Sequence, residues 1–391
     1  MRTTTLGELV DEAGGIVQTG PFGSQLHAHD YSNSGVAVVM PQNIRNGRLD
    51  HSSIAHVTTG RASGLSRHTL QAGDIVYSRR GDVEKCALVL ETDLPAMCGT
   101  GSLLVRVPKS HFADSTFLAY LLQTDEVRKW VRGHAVGATM LNLNTQILRE
   151  VPLVLPPLPK QQAIAEVLGA LDDKIAANRA LVATADDLAT AIYRRESSTT
   201  APLSSLAKFV NGRNFTKDAS GTGRAVIRIA ELNSGIGDST VFNDVGALPQ
   251  NVAGPGDILF AWSGSLTLKR WTAEEGLVNQ HIFKVIPNSD VPQWLVYQAI
   301  RHALPDFKAI AADKATTMGH IQRHHLDAKV PIPTTSQTVP LDPLMGGLWQ
   351  MALAAEVESA TLAALRDTLL PALMNGTLRV KDAERTVSEA L

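Results

Sequence analysis

The sequence contains the same pattern twice. Residues 73–81, Gly-Asp-Ile-Val-Tyr-Ser-Arg-Arg-Gly, return at 256–264 as Gly-Asp-Ile-Leu-Phe-Ala-Trp-Ser-Gly. Two shorter pieces recur at a similar distance, Thr139-Met140 as Thr317-Met318 and Val151-Pro152 as Val330-Pro331. A period of about 180 residues is a whole domain with its connector, not a solenoid repeat. The sequence therefore predicts two similar domains that bind two similar targets.

Composition sets the broad class of the chain. Its 391 residues are enough for two domains, and 44% hydrophobic residues are enough for buried cores. No apolar segment of a signal peptide follows Met1–Thr5, and no apolar run approaches the ~20 residues of a membrane helix. The two cysteines, Cys86 and Cys98, are expected to be free thiols in a reducing cytosol. We therefore expect a cytoplasmic protein.

Charge is distributed unevenly along the chain. The net charge is −2, but residues 1–163 hold 15 basic and 14 acidic side chains, and residues 197–335 hold 13 and 11. The stretches 164–196 and 336–391 carry the acidic excess, with 4 basic and 6 acidic and with 4 and 7 side chains. This balance is compatible with nucleic acid on the two repeats but does not require it.

Two stretches have a heptad pattern, which favours long paired helices. The first follows Pro156–Pro159, where prolines fit a helix start. Its heptad positions are Ile164, Leu168, Leu171, Ile175, Asn178, Val182, Ala185, Ala189 and Ile192. The second set lies 180 residues later, at Leu344, Leu348, Met351, Ala355, Glu358, Leu362, Leu365, Leu369 and Ala372. We refer to these positions as the heptad seam, and we predict an antiparallel coiled coil of roughly 43 Å.

One polar residue interrupts each half of the heptad seam at the same place. If the helices pair antiparallel, Asn178 lies near Glu358, and we predict a contact between them. The alternative is that both side chains point to a solvated edge. The second helix is expected to start late because of Pro340 and Pro343, and to end near Asn375-Gly376.

The two globular repeats have a mixed pattern of short strands, turns and helices. The Gly-Asp segments are expected to be turns followed by strands at 73–77 and 256–260, with partner strands at 103–107 and 282–286 and helices at Ser115–Trp130 and Gln293–Ala303. The predicted fold class is α+β, with two similar globular domains separated by two long helices. The predicted boundaries are 1–157 for the first domain, 158–197 for the first helix, 198–334 for the second domain, 335–380 for the second helix and 381–391 for a polar tail.

Signatures of catalysis are missing. No phosphate-binding Gly-x-x-x-x-Gly-Lys loop occurs, and Trp262–Ser265 lacks the first glycine of a nucleophile elbow. Leu155–Leu158 has the wrong flanks for an amino-methyltransferase motif, and no nuclease cluster stands out. The pairs His27/His29 and His324/His325 lack partners at metal-ligand spacing. We therefore predict neither catalytic residues nor a metal site.

Polar, basic and aromatic residues in the loops indicate DNA binding instead. Arginine at a strand end can bond guanine or phosphate, amide side chains suit an adenine edge, and glycine-rich loops can approach a phosphate backbone closely. The candidates are Thr19, Ser24, Gln25, Ser78, Arg79, Arg80, Lys85, Thr139, Asn142, Arg213, Lys217, Trp262, Ser263, Ser265, Lys269, Arg270, Gln280, His281 and Thr316. The alternative for each is a turn residue or a solvated surface charge. The repeats differ here, since the first has Arg79-Arg80 and the second has Trp262.

The whole chain resembles the specificity subunit of type I restriction–modification systems. The resemblance rests on 19–24 (Thr-Gly-Pro-Phe-Gly-Ser), 73–81 with its second copy, 137–140 (Gly-Ala-Thr-Met), 151–157 (Val-Pro-Leu-Val-Leu-Pro-Pro), 161–164 (Gln-Gln-Ala-Ile) and 171–172 (Leu-Asp). It implies two target-recognition domains, each recognising half of a split DNA sequence. It also implies an antiparallel coiled coil that sets the gap between half-sites and docks two methyltransferase subunits.

The resemblance implies where the chemistry lies. The methyltransferase subunits would hold S-adenosylmethionine and methylate adenine, and restriction subunits using ATP and Mg²⁺ could join them. This chain would carry no cofactor and no catalysis. The second connector, 333–337, lacks the Leu-Pro-Lys-Gln-Gln of the first, which puts contacts with one partner copy in doubt. The remaining alternatives are an enzyme acting alone, a coiled-coil scaffold that binds proteins without DNA, and a specificity subunit that serves methylation only.

Overall fold

The computed structural model describes residues 1–313 and 319–391. These residues form two compact units, one of residues 1–171 with 365–391 and the other of residues 172–364. Each unit contains one copy of the repeat. The first copy is built from β1 (Arg2–Thr5), α1 (Leu6–Glu12), β2 (Ile16–Thr19), β3 (Tyr31–Ser32), β4 (Val36–Val39), β5 (Ile44–Arg45), β6 (Arg48–Leu49), β7 (Ala55–Val57), α2 (Thr59–Ser63), β8 (Ile75–Ser78), β9 (Cys86–Leu88), β10 (Ala96–Cys98), β11 (Ser102–Arg106), α3 (Ser115–Leu121), α4 (Asp125–His134), α5 (Thr145–Arg149) and β12 (Pro152–Leu155).

The second copy follows the long helix α6 (Leu158–Glu196) and precedes the long helix α9 (Thr335–Met374). It is built from β13 (Thr199–Pro202), β14 (Ala207–Asn211), β15 (Arg224–Ile227), α7 (Ile229–Ser234), β16 (Phe242–Asn243), β17 (Val252–Ala253), β18 (Ile258–Ala261), β19 (Leu268–Arg270), β20 (Gly276–Val278), β21 (Ile282–Pro287), α8 (Gln293–Asp313) and β22 (Lys329–Ile332). A last helix, α10 (Val380–Ala390), belongs to the first unit.

The sheets occur twice, as the sequence repeat predicts. The order β2-β11-β8-β9 in the first copy corresponds to β14-β21-β18-β19 in the second. Each copy also has one parallel pair, β4 with β10 and β15 with β20. A two-stranded antiparallel ribbon closes each copy, β1 with β12 and β13 with β22. The fold class is α+β, as predicted.

The repeated Gly-Asp dipeptide is a turn that launches the central strand. Gly73 and Gly256 have φ angles of 88° and 89°, a left-handed conformation that favours glycine. The next residue closes the turn, since Asp74 Oδ2 accepts the N–H of Gln71 at 2.7 Å and Asp257 Oδ2 accepts that of Gly254 at 2.8 Å. The strands that follow, β8 and β18, are buried throughout. The most visible repeat in the sequence therefore has a structural role.

Helix α6 is anchored to the first copy by a neutral side chain. Gln161 is fully buried, and its amide nitrogen donates to the carbonyls of Phe112 (2.9 Å) and Pro156 (2.8 Å). Its amide oxygen accepts the N–H of Asp114 at 3.0 Å. All the strong hydrogen-bonding groups of the amide are thereby paired, so its burial is not costly.

Helix α9 starts earlier than the prolines suggest, so that prediction was wrong. Thr334 and Gln337 cap the helix start: the Gln337 amide oxygen accepts the Thr334 N–H at 2.9 Å. Pro340 and Pro343 then lie inside the helix on its exposed side. Water can solvate the carbonyls that these prolines leave unpaired, which lowers their cost. The helix ends at Met374 and Gly376 has φ 79°, as predicted for its C-terminus.

Helices α6 and α9 pair antiparallel within the second unit. The Asn178 side-chain amide donates to Glu358 Oε2 at 2.7 Å, which confirms the predicted contact between the two polar positions. Lys174 adds an ion pair to the same carboxylate at 3.4 Å. Two residues after the end of α6, Ser198 Oγ donates at 2.6 Å to Oε1 of Gln337, which lies in the first turn of α9. Moving toward the C-terminal end of α6 therefore means moving toward the N-terminal end of α9, as in an antiparallel helix pair.

The heptad seam is displaced in the first half of α9. Leu344 and Met351 are 52% and 47% exposed, so their assignment to the seam was wrong. Met345, Trp349 and Ala352 are buried instead, and each lies one residue after a predicted seam position. The buried face drifts because this part of α9 also packs against the second copy through Trp349. Of the other predicted seam positions, Leu168, Leu171, Ile175, Asn178 and Leu362 are buried, and Val182, Leu348, Glu358 and Leu365 are partly exposed.

Three other predicted elements need correction. The helix expected at 115–130 breaks into α3 and α4, because Thr124 Oγ1 donates to the Leu121 carbonyl and competes with the helical pattern. The helix expected to end at Ala303 continues through Pro305 to Asp313. The segment expected to be a polar tail is the helix α10, which buries Ala383 and Val387.

Candidate nucleic-acid interface

Four segments of the chain meet at the end of β8 in the first copy. Gly20 N–H donates to the Ser102 carbonyl at 2.9 Å. Arg79 N–H donates to the Gly101 carbonyl at 2.8 Å, and Gly81 N–H to the Leu141 carbonyl at 3.0 Å. In return, Leu143 N–H donates to the Arg79 carbonyl at 2.9 Å. We refer to residues 19–25, 78–81, 99–102 and 136–143 as the first loop cluster. It gathers most of the first-copy residues predicted to bind DNA.

The second copy repeats these hydrogen bonds at the end of β18. Trp262 N–H donates to the His281 carbonyl, Gly264 N–H to the Gly319 carbonyl and Ile321 N–H to the Trp262 carbonyl, each at 3.0 Å. We refer to residues 211–215, 262–265, 279–283 and 319–321 as the second loop cluster. The same backbone positions are thus used in both copies, with Arg79 and Trp262 at equivalent places.

The side chains of the first loop cluster present unpaired positive charge. The Arg79 guanidinium lies 5.8 Å from the centre of the Phe22 ring, and Phe22 is 53% exposed. Arg80 is exposed, and neither arginine forms an ion pair within residues 1–313 and 319–391. The nearby Asp82 and Glu84 are already paired, with Lys85 at 2.8 Å and with Arg132. The uncompensated charge of this loop therefore belongs to Arg79 and Arg80.

The second loop cluster is aromatic instead. The Trp262 ring lies 5.0 Å from His281, 5.9 Å from Phe283 and 6.4 Å from His320, measured between ring centres. Its indole N–H donates to Asn211 Oδ1 at 2.9 Å, which fixes the ring. His281 has φ 74°, unusual for a residue other than glycine, and occupies the place of Gly101 in the first copy. A strained, exposed histidine beside a fixed indole suits stacking and polar contact with a base.

The glycines of these loops serve packing more than access to phosphate. A Cβ on Gly20 would lie 2.0 Å from the Gly99 carbonyl oxygen, and one on Gly212 would lie 2.1 Å from the Asn279 carbonyl oxygen. Both glycines let two loop backbones touch inside their own copy. Of these three glycines, only Gly23 has open space around it: a Cβ added there would meet no heavy atom within 4 Å beyond its chain neighbours. The expectation of close phosphate approach therefore remains for Gly23 and does not hold for Gly20.

Three predicted DNA-binding residues are buried and cannot fulfil that role. Ser78 is 1% exposed and donates its hydroxyl to the Arg80 carbonyl at 3.1 Å. Ser263 is 6% exposed and lies in a backbone bridge with His320. Arg270 is 4% exposed and binds acidic side chains of the long helices. The predicted Thr316, with the second Thr-Met pair, lies outside the described residues.

Arg270 is the centre of a buried ionic cluster in the second unit. It pairs with Asp186 of α6 and, at 3.2 Å, with Glu356 of α9. Its guanidinium lies 4.6 Å from the ring centres of both Tyr297 and Trp349. Burial raises the pKa of Glu356, and Arg270 opposes that rise. Burial acts to lower the pKa of Arg270, but Tyr297, Glu356 and Asp186 raise it above its usual value. The arginine therefore attaches the second copy to both helices.

The remaining candidates divide by position. Ser24, Thr139, Arg213, Ser265, Gln280 and His281 are exposed in the loop clusters, and Thr19, Gln25 and Asn142 are partly exposed there. Lys85, Lys217 and Lys269 are exposed but lie outside the defined cluster segments. Sequence reasoning missed Phe22, Val136, Met140, Asn211 and His320. Phe22 and Met140 lay within recognised motifs, and an apolar residue in a polar loop was the signal that could have identified them.

The described residues contain neither a metal-ligand cluster nor a membrane-spanning helix. Among residues 1–313 and 319–391, no group of three or more His, Cys, Asp or Glu side chains is placed to hold a metal ion. Within the same part of the chain, no helix combines the length and apolar content needed to cross a membrane. Both thiols are buried, and burial raises the pKa of Cys86 to about 12.

Known proteins are similar to this chain in sequence or in fold. Residues 30–184 match the family model of the type I restriction modification DNA specificity domain. The type I restriction enzyme MjaVIII specificity subunit of Methanocaldococcus jannaschii is 25% identical over 182 residues, which are 44% of this chain and 40% of that protein. The HindI specificity subunit of Haemophilus influenzae is 22% identical over 161 residues, 41% of this chain and 35% of that protein. The sequence matches thus span less than half of these relatives.

The structural match extends over nearly the whole chain. The S subunit of a type I restriction–modification system from M. genitalium covers 95% of this chain and 96% of its own, with a TM-score of 0.54 and 15% identity. The fold of this chain is therefore of the same class as that S subunit: two similar α+β copies with two long helices. The resemblance to specificity subunits of type I restriction–modification systems, predicted from the sequence, is confirmed.

Proposed function

We propose that this chain is the DNA sequence-recognition subunit of a type I restriction–modification complex. Each copy of the repeat recognises one half of a bipartite double-stranded target. The observation that carries the proposal is the pair of loop clusters, which share their backbone hydrogen bonds and differ in their side chains. One backbone used twice with different side chains is suited to two different half-sites.

The two clusters suggest different modes of recognition. Arg79 and Arg80 can bind guanine in the major groove or phosphate. Arg80 is exposed and Arg79 partly exposed, and neither forms an ion pair in the described part of the chain. Trp262 with His281 suits stacking and hydrogen bonding to a base edge. We therefore propose that the first half-site is recognised mainly through charged contacts and the second mainly through aromatic and polar ones.

The long helices serve as spacer and docking surface in this proposal. A heptad run of roughly 43 Å is long enough for half-sites about one DNA turn apart, ~34–36 Å. Two methyltransferase subunits dock on the helices, hold S-adenosylmethionine and methylate adenine in the target. Where a restriction subunit joins, it brings ATP and Mg²⁺ and completes a cleaving complex; without one, the complex serves methylation alone. The chain itself supplies recognition and no catalysis.

The small charge excess of the two copies implies dependence on the partner. Most affinity for duplex DNA comes from phosphate contacts, and these weaken as salt rises. With nearly balanced charge, the chain alone is expected to bind DNA weakly. With the methyltransferase it should bind tightly, specifically and in a salt-sensitive manner. Equal specific affinity with and without the partner would contradict this proposal.

Mapping of methylated adenines tests the function directly. The genome of cells with the gene should carry a split, asymmetric methylated motif that is absent from cells without it. Replacing residues 1–157 by the corresponding domain of a related chain should change only one half of that motif. A motif that stays unchanged after deletion of the gene would exclude DNA recognition. A protein-binding scaffold would leave methylation unaltered in both experiments.

A further inference from the structure

A rigid apolar tip projects from the first loop cluster. Val136 and Asn142 exchange both backbone hydrogen bonds, at 2.9 and 2.7 Å, and so close a short loop between them. The Asn142 side-chain amide donates to the Met140 carbonyl at 3.1 Å inside the loop. Gly137 has φ 133°, and a Cβ there would lie 2.1 Å from the Met140 carbonyl oxygen. The loop is therefore narrow and fixed at its base.

The side chains at this tip are apolar and face solvent. Met140 is 57% exposed and Val136 is 64% exposed. Helix α4 leads directly into the loop, and two contacts of His134 stiffen its last turn. The His134 ring stacks on the Trp130 ring with 3.9 Å between ring centres, and His134 Nδ1 lies 2.8 Å from the Trp130 carbonyl oxygen. A fixed loop gains no stability in the folded chain by exposing methionine and valine to water. Such a surface indicates a partner that covers it.

The charge around the tip identifies that partner. Arg80 forms a backbone bridge with Asn142, and Gly81 bonds the carbonyl of Leu141, which places the unpaired Arg79 and Arg80 beside the tip. Apolar side chains bordered by free arginines match duplex DNA, whose base steps are apolar and whose edges carry phosphates. DNA-bending proteins insert methionine, leucine or phenylalanine between base pairs in this way.

We propose that Met140 is an apolar wedge that enters a base-pair step of the first half-site and unstacks it, with Arg79 and Arg80 holding the adjacent backbone. The inference rests on the proposed function, and it concerns the first copy only, because the sequence counterpart Met318 lies outside the described residues. Wedge insertion favours flexible pyrimidine–purine steps over stiff ones. Met140 would therefore contribute to specificity through the deformability of that step, without a hydrogen bond of its own to a base edge.

Fluorescence of 2-aminopurine tests the wedge. The probe replaces, one at a time, adenines of the first half-site in a duplex that carries the methylated motif, leaving out the adenine that is methylated. Bound to the full chain with its methyltransferase, one step should show a several-fold rise in fluorescence. Met140→Ala should abolish that rise and weaken binding roughly tenfold, and Met140→Leu should restore both.

Matched variants separate a wedge from a general surface effect. Val154→Ala removes an exposed valine of the same unit, 51% exposed on β12, and should change neither signal nor affinity. A wild-type complex that binds the duplex without any rise would overturn the wedge and leave the proposed function standing. A fluorescence rise that persists in Met140→Ala would also overturn the wedge. So would a Met140→Ala chain that no longer binds the methyltransferase but still distorts the DNA. Failure of the wild-type complex to bind the duplex would overturn both.

Discussion

The two loop clusters have the same backbone and different surface chemistry. In the first, Arg79 and Arg80 present free positive charge beside Phe22. In the second, the place of Arg79 is taken by Trp262, held by Asn211 and surrounded by aromatic rings and imidazoles. The hydrogen bonds that the two clusters have in common are main-chain bonds, so they do not depend on these side chains. The comparison shows how a repeated fold can retain its architecture while its surface chemistry diverges.

The attachment of each copy to its helix differs as well. The first copy uses Gln161, a neutral side chain with every strong hydrogen bond made. The second uses Arg270, a buried cation paired with carboxylates on α6 and α9. A buried ion pair is costly to break, whereas a neutral hydrogen-bonding group is less so. The two copies should therefore respond differently to mutation and to pH.

The largest expected effect comes from breaking the ionic attachment. Arg270→Met should destabilise the second unit by about 3–5 kcal/mol, because the Glu356 carboxylate, only 22% exposed, is left without its cation. The pKa of Glu356, already raised by burial, rises further without Arg270. Glu356 of the folded variant therefore takes up a proton as pH falls. The loss in free energy of unfolding relative to the wild type should be smaller at pH 5 than at pH 8. Urea unfolding followed by tryptophan fluorescence measures both values.

Two controls accompany that variant. Arg270→Met combined with Glu356→Gln should recover much of the lost stability and lose the pH dependence. Gln161→Met, the counterpart in the first unit, should cost about 1–3 kcal/mol for buried groups left unpaired, with no dependence on pH in this range. A deficit of Arg270→Met that grows on acidification would contradict the assigned role of Glu356.

The next-largest effect concerns the close backbone contacts that Gly20 and Gly212 permit in the two clusters. Gly20→Ala and Gly212→Ala should each destabilise their own unit by about 2–3 kcal/mol, since the added Cβ meets a carbonyl oxygen at 2.0 or 2.1 Å. Gly23→Ala, in open space, should change stability by no more than about 0.5 kcal/mol. Thermal unfolding of the three variants gives the comparison. Similar melting of Gly20→Ala and Gly23→Ala would show that the backbone contact is unimportant.

The surface chemistry predicts half-site-specific losses of DNA affinity. Arg79→Ala and Trp262→Ala should each weaken binding by about 1–3 kcal/mol, and each should relax specificity in a different half of the motif. The salt dependence distinguishes them. Arg79→Ala should reduce the slope of log affinity against log salt by roughly 1 if the arginine binds phosphate, whereas Trp262→Ala should leave it unchanged.

The matched control for the arginine is Lys109→Ala, which removes an exposed cation of the same unit outside the first loop cluster and should leave specificity unchanged. Titrations against duplexes altered in one half-site at a time measure the effect. If Arg79→Ala and Trp262→Ala relaxed the same half of the motif, the two clusters would not be separate readers of separate half-sites.

The smallest effect concerns the polar contact between the helices. Asn178→Leu should cost about 1 kcal/mol, because it removes the 2.7 Å hydrogen bond to Glu358 while Lys174 still pairs with that carboxylate. The double variant with Glu358→Leu should be neutral or stabilising, since it makes the heptad seam continuous. Calorimetry of the single and double variants gives the coupling. Additive losses would show that the contact does not matter.

Much of the architecture could be predicted from the sequence. The repeat predicted two similar copies, and the heptads predicted two long helices with Asn178 opposite Glu358, because register in a helix pair follows from counting along the chain. The errors fell where distant segments intervene. Met351 left the seam because Trp349 of the same helix packs into the second copy, and the capping pair Thr334/Gln337 outweighed the prolines at the start of α9.

The candidate site was less predictable than the fold, for a physical reason. The sequence by itself determined which loops contain polar, basic and aromatic residues, since strand ends and turns follow from local pattern. Only the tertiary structure decided which of these side chains face solvent. Arg79 directly follows β8 and Arg270 is the last residue of β19, yet Arg79 forms no ion pair in the described residues while Arg270 is buried against Asp186 and Glu356, 84 and 86 residues away in the chain. Burial depends on the elements that pack over a strand, and these come from distant parts of the sequence.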